Sequence, residues 1–226
     1  WTCGGCRRAD DLVGCSGQAT ALTFDDGPSV NTLPLLDYLK QHKINATFCV
    51  LGSQVLQHPQ ILQRAFDEGH EICLHTWSHA ALTTLTNEQI LAEIKWTEKI
   101  VYETIGVTPR FLRPPYGDID DRVRAVVKAA GYRILHWNLD SSDWKLSSPI
   151  PQVHVSSNTL VRAFRDAIAR GPSKAAGELS HSSHKKHQGF ITLEHDITQQ
   201  SIQQFFKVPP LLRASGYALQ TVSQCL

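Results

Sequence analysis

The chain lacks any run approaching the roughly 18 consecutive apolar residues that a membrane-spanning helix requires, so no membrane insertion is expected. It also lacks an excess of charge. Lys and Arg number 22 against 21 Asp and Glu, a formal net charge of +1, which gives no reason to expect nucleic acid or an anionic membrane surface as partner. No internal repeat and no linker divides the sequence. No signal peptide is visible at Trp1, and a mature or trimmed form is therefore expected. What remains is a chain of 226 residues, 42% hydrophobic and 19% charged, long enough to bury a core without covalent staples. We read it as a single domain over 1–226, a monomer, with a Cys-containing N-terminal segment over 1–18 and its body over 19–225.

Six cysteines are present. Cys15 and Cys225 flank the body, and a bond between them would tie its two ends together, as secreted domains often do. Cys3 and Cys6 form a CxxC without a second ligand pair nearby, which reads as a local disulfide or two free thiols rather than a zinc knuckle. Cys49 and Cys73 lie in apolar runs, either as buried small hydrophobes or as a cross-strand disulfide. The even count points to an oxidising compartment.

Strand-like and helix-like segments alternate. Strands are expected over 19–24, 45–52, 70–75, 110–115, 132–140, 189–196 and 217–225. Helices are expected over 31–43, 58–69, 86–106, 121–131, 158–171 and 201–216, with Pro59 opening the second and Thr86 capping the third. Strands separated by helices imply parallel pairing through right-handed crossovers, either a barrel or a wound sheet. The segments 147–157 and 171–189 read as loops. The second carries His181, His184 and His187 with Lys185 and Lys186, read as a solvated tract rather than a metal site.

In such architectures the site lies at the carboxyl ends of the strands. Asp25 and Asp26 follow the first strand. "HTWSH", with His75 and His79, follows the third. "RPPYGD", with Arg113, Tyr116 and Asp118, follows the fourth. "DSSDW", with Asp140, Asp143 and Trp144, follows the fifth, and "LEHD", with His195, closes the sixth. Two adjacent carboxylates sharing a pocket repel unless a cation or proton lies between them. Two histidines four residues apart can reach one side of a tight turn, and two histidines with one carboxylate make a catalytic zinc-type ligand set. One aspartate then binds the cation while the other faces the water it holds. Asp118 reads as a helix cap. Asn45-Ala46-Thr47 matches a glycosylation sequon.

In this order, "TFDDGPS", "HTWSH", "RPPYGD", "DSSDW" and "LEHD" resemble the five motifs of the polysaccharide deacetylase family, also called the NodB-homology or carbohydrate esterase 4 family, with a flavour most similar to fungal chitin deacetylases. The resemblance runs from about Ala19 to Cys225. It implies a distorted (β/α) barrel of about seven parallel strands, and a disulfide at the positions of Cys15 and Cys225. It implies a secreted or cell-wall hydrolase that removes acetyl groups from an N-acetylglucosamine polymer or oligomer. It further implies that Asp26, His75 and His79 bind a divalent metal, zinc with cobalt as alternative, and that Asp25 is the general base. Arg113 holds Asp25 ionised, the Tyr116 backbone N–H meets the oxyanion, and His195 is the general acid. Asp143 or Asp140 tunes His195, Asp143 being preferred because it adjoins Trp144. Leu193 and Trp144 wall the pocket for the acetyl methyl, and Trp77, between the two histidines, either stacks on a sugar face or packs within its loop. Peptidoglycan or acetylated xylan would be handled by the same residues, and a non-catalytic sugar-binding module is the reading from a different class.

Overall fold

The computed structural model describes residues 8, 10–147, 158–171 and 189–226. Cys3, Cys6, the His-rich tract and all but the first residue of the segment 147–157 lie outside the described residues.

Among the described residues, seven passes of the chain build the sheet, and every pairing between them is parallel. The first pass is interrupted at Leu22 into β1 (Ala19–Ala21) and β2 (Thr23–Asp25). Then come β3 (Thr47–Val50), β4 (Glu71–Leu74) and β5 (Phe111–Leu112). The expected strand over 132–140 is also broken, into β6 (Arg133–Ile134) and β7 (Leu139–Asp140). β8 (Phe190–His195) and β9 (Ala218–Gln220) follow. β2 pairs β3, β3 pairs β4, β4 pairs β5 and β5 pairs β6, while β7 pairs β8 and β8 returns to β2. Residues 133–140 thus leave β5 at one end and reach β8 at the other. Chain continuity, not a ladder, completes the ring, which is the physical content of a distorted barrel. β9 lies outside it, against β1.

Side chains alternate across each strand, and here adjacent residues divide between two cores. Phe48, Val50, Ile72, Leu74, Leu112, Ile134 and Phe190 join the large cluster under the helices. Cys49, Cys73, Phe111, Leu135 and Ile191 join a smaller one inside the ring. Among the helices, α1 (Thr32–Gln41), α2 (Gly52–Gln57), α3 (Pro59–Asp67), α4 (Asn87–Ile105), α5 (Asp121–Ala129) and α6 (Thr159–Arg170) follow their strands. Thr86 caps α4 as expected, in a capping box with Gln89. The expected strand over 217–225 ends at Gln220, and Val222–Cys225 forms a helical turn behind a Thr221–Gln224 capping box. The helix expected over 201–216 is two helices, Gln199–Phe205 and Val208–Ala214. Pro209 and Pro210 lack the N–H that a helix interior needs, and they fit the first turn of the second helix. The cap of α5 is Asp120, whose carboxylate accepts from Val123 N at 2.7 Å. Asp118, expected in that role, accepts instead from the Thr83 hydroxyl.

Cys15 and Cys225 are disulfide-bonded with Cα atoms 5.0 Å apart. Cys49 and Cys73 are register partners on β3 and β4, buried and unbonded, so the small-hydrophobe reading of this pair holds and the cross-strand disulfide does not. The N-terminal segment docks under the ring: Leu12 bridges to Leu135, and buried Asp11 pairs with Arg124 at 2.7 Å. Among the described residues no helix is long and apolar enough to cross a membrane.

Candidate active site

β2 ends at Asp25, whose side chain lies on the inner face of the ring with that of Thr23, two residues earlier. A further extended residue would point outward. Instead Asp26 takes a left-handed φ of 74° and turns its carboxylate toward His75, which Asp25 also faces, and toward His79. Gly27 follows because the chain passes against Asp196. A Cβ at position 27 would lie 2.4 Å from both Asp196 carboxylate oxygens.

Three groups converge at the mouth. The first is Asp26 with His75 and His79, whose ligand atoms all lie within 4.8 Å of one another. Asp26 Oδ1 is 3.5 Å from His75 Nε2 and 3.3 Å from His79 Nε2, and it is buried without a hydrogen-bond partner. His75 Nδ1 donates to the Arg113 carbonyl at 2.7 Å, which fixes the tautomer and leaves Nε2 free to bind. Burial, with the neighbouring His75, lowers the pKa of His79, favouring the neutral imidazole that a metal requires. An orphaned buried carboxylate oxygen facing two imidazole nitrogens fits a divalent metal with nitrogen and oxygen ligands.

The second group is Asp25 with Arg113, both fully buried. Arg113 donates to Asp25 Oδ1 and to Thr23 Oγ1, each at 2.7 Å, and to the His136 carbonyl at 3.2 Å. Burial pushes Asp25 up, but the Arg113 guanidinium, then His75 and His195, outweigh it and hold the carboxyl below its ordinary value. A buried ion pair is weak evidence for stability; here it holds an ionised carboxylate in one orientation.

The third group is His195 with Asp143. His195 is the register partner of Asp25. Its Nδ1 lies 2.7 Å from Asp143 Oδ1, and its backbone N–H donates to Asp143 Oδ2 at 2.8 Å. Burial lowers the imidazole pKa, but the hydrogen bond and charge of Asp143 overcome it and raise the value to about 9. Between the two aspartates left open by the sequence, it is Asp143 that touches His195. Asp140 accepts from Ser142 N at 2.7 Å in its own turn.

Tyr116 takes φ 61° after the two prolines, and its exposed ring stands edge-on to His79 at 4.5 Å. Leu193 is buried two residues before His195, and half-exposed Trp144 follows Asp143. Trp77 is placed elsewhere. Its ring packs over Gly52 and lines, with Ala92, Glu93 and Trp96, a hollow on the α4 side, which is the packed-loop alternative. The Asn45 amide donates to the Gly69 and Glu68 carbonyls, at 2.8 and 3.3 Å, so the sequon nitrogen is engaged. Thr23 and Asp196 were not anticipated as site residues. Thr23 carried a signal, because period-two spacing puts it on the face of Asp25. Asp196 is fully buried: burial, reinforced by the charge of Asp26 and opposed by the Thr32 hydroxyl, pushes it up to about 7.

Residues 15–135 match the polysaccharide deacetylase family. Chitin deacetylase 1 of Cryptococcus neoformans var. grubii is 42% identical over an alignment covering 100% of this chain and 48% of that protein. The chain spans about half the length of the curated relative it matches in this way. The structure of the chitin deacetylase from Colletotrichum lindemuthianum superposes with a TM-score of 0.79 at 27% identity, over 96% of this chain and 91% of that one. The peptidoglycan deacetylase PdaC from Bacillus subtilis superposes with a TM-score of 0.74 at 33% identity, over 92% and 89%. With this fold and these strand-end motifs, the chain belongs to the polysaccharide deacetylase family.

Proposed function

We propose that the chain hydrolyses the acetamide of N-acetylglucosamine units in chitin or chito-oligosaccharides, giving free amine and acetate. One observation carries the reading: a three-residue ligand set is flanked by a carboxylate held ionised and, in register with it, an imidazole held protonated. A non-catalytic sugar binder has no use for that pairing. Zinc, or cobalt in its place, held by Asp26, His75 and His79 would supply Lewis acidity that polarises a carbonyl and acidifies water. Asp25 takes the proton from the water that attacks the acetamide carbon. Arg113 keeps Asp25 charged and oriented. The backbone N–H of Tyr116 donates to the developing oxyanion. His195 gives its proton to the departing amine nitrogen, and Asp143 keeps that proton available. Leu193 and Trp144 wall the methyl pocket. A polymer substrate and a disulfide between the chain's ends support secretion or a cell-wall location, with residues 19–225 acting as one catalytic unit.

Acetate release from chitin oligomers, peptidoglycan and acetylxylan, compared at equal acetyl content with zinc-loaded protein, tests the substrate. Chitin oligomers are expected to react fastest. Faster release from peptidoglycan would move the assignment to that polymer, and no release from any of the three would end the enzyme reading. Within the site, Asp25→Asn should retain zinc and lose roughly 10²–10⁴-fold in kcat, the contribution of a positioned base. Asp26→Asn should lose zinc affinity, because a neutral amide is the poorer ligand. The reverse pattern would exchange the two roles.

A further inference from the structure

The loop that carries both histidine ligands is strained. Thr76 and His79 adopt φ values of 72° and 61°, left-handed conformations costly for residues with a Cβ. Such a loop persists only where its surroundings determine it, and several of its backbone groups are held by named partners. The Thr76 and Trp77 carbonyls accept from Gly52 N at 3.0 Å and Ser53 N at 3.2 Å, amides of the first turn of α2. The His79 N–H donates to Thr76 Oγ1 at 3.2 Å. Two further amides, those of Trp77 and Ser78, converge on one carboxylate from α4. Glu93 Oε2 accepts from Trp77 N and Ser78 N, each at 2.8 Å, and Glu93 Oε1 accepts from the Ser78 hydroxyl at 2.6 Å. Glu93 is itself placed by its helix, where its carbonyl takes the Thr97 hydroxyl at 2.8 Å.

From this we infer that Glu93 is a positioning residue for the metal site: its carboxylate clamps the turn between His75 and His79 and so sets the spacing of the two imidazoles. It touches neither imidazole and acts only through the backbone they share. Charge-assisted bonds to two successive amides are stronger than neutral ones, and they grip the turn at its midpoint, where no other side chain among the described residues holds those two amides. Without the clamp, the strained turn relaxes toward ordinary φ values, and His79 leaves the geometry in which its Nε2 faces Asp26. The inference rests on the metal site proposed above.

The zinc dissociation constant, measured by competition with a chromophoric chelator, tests it, alongside the thermal midpoint of the metal-free protein. Glu93→Ala should weaken zinc binding roughly 10–100-fold, the range seen when partners behind metal ligands are removed. Glu93→Gln keeps an oxygen that can accept from both amides and should recover most of that loss. Glu93→Asp keeps the charge but falls one methylene short of the loop. It should weaken zinc binding while folding normally, and it decides the matter if the alanine variant does not fold. Wild-type zinc affinity in Glu93→Ala or Glu93→Asp would overturn the inference, as would a glutamine variant no better than alanine. If the wild-type chain itself binds no stoichiometric zinc, the metal-site reading fails and this inference with it. Zinc bound equally by wild type and variants removes the clamp alone.

Discussion

At the scale of single residues, the charge state of His195 decides, in the proposed reaction, whether a proton is available for the leaving amine. An unperturbed imidazole titrates near 6.5 and would be mostly neutral at pH 7. Asp143, gripping both the ring and the backbone N–H of His195, raises its value to about 9. Because the folded value lies above the unfolded one, the pair's contribution to stability is fully present below about pH 6.5 and is lost as pH rises through about 9. The alkaline limb of kcat on a chito-oligomer should follow the same titration. In Asp143→Asn that limb should move to lower pH, and in Asp140→Asn it should stay. A pH–rate profile of the three proteins checks this; a limb unmoved by Asp143→Asn refutes the partnership. The sequence left these two aspartates open because they lie three residues apart in one short segment, on either side of the point where the chain leaves β7.

At the scale of elements, α2 shows how a short helix can matter more than its length suggests. Its six residues, Gly52–Gln57, present too few turns for an apolar period to be read, and Gly52 reads equally well as the end of the preceding strand. Yet the first turn of α2 holds the loop of the two histidines, and Gly52 must be glycine for reasons of space. A Cβ there would meet the Trp77 ring at 2.4 Å and Thr97 Oγ1 at 2.8 Å. Gly52→Ala should therefore destabilise the metal-free protein by about 1–3 kcal/mol, the ordinary cost of overpacking. Urea unfolding checks it, and an unchanged midpoint would show that α2 and α4 separate freely. The helical turn over Val222–Cys225, by contrast, left a trace in the sequence, since Thr221 and Gln224 stand at capping-box spacing.

At the scale of the whole molecule, the Cys15–Cys225 bond closes a loop of 210 residues in sequence separation. Constraining the unfolded chain in this way should contribute about 5 kcal/mol in the chain-entropy model. The variant Cys15→Ala/Cys225→Ala should lose an amount of that order in urea unfolding while keeping the site, because the bond lies at the opposite end of the strands from the aspartates. A double variant as stable as the wild type would refute the entropic account.

The sequence by itself determined the alternation of the main strands and helices, though not α2, together with the parallel pairing and the collection of titratable groups at one end of the strands. Apolar periodicity, glycine and proline punctuation, and the residues closing each strand are local properties of the chain. Only the tertiary structure decided which of those groups meet. It split residues 133–140 between β5 and β8, so that Asp143 reaches His195. It turned Asp26 through a left-handed φ, so that two adjacent carboxylates share one mouth. It set Trp77 against α4 and brought Glu93 beneath the loop of the two histidines. These are contacts between distant segments, fixed by register and by packing, and neither can be computed from spacing along one strand.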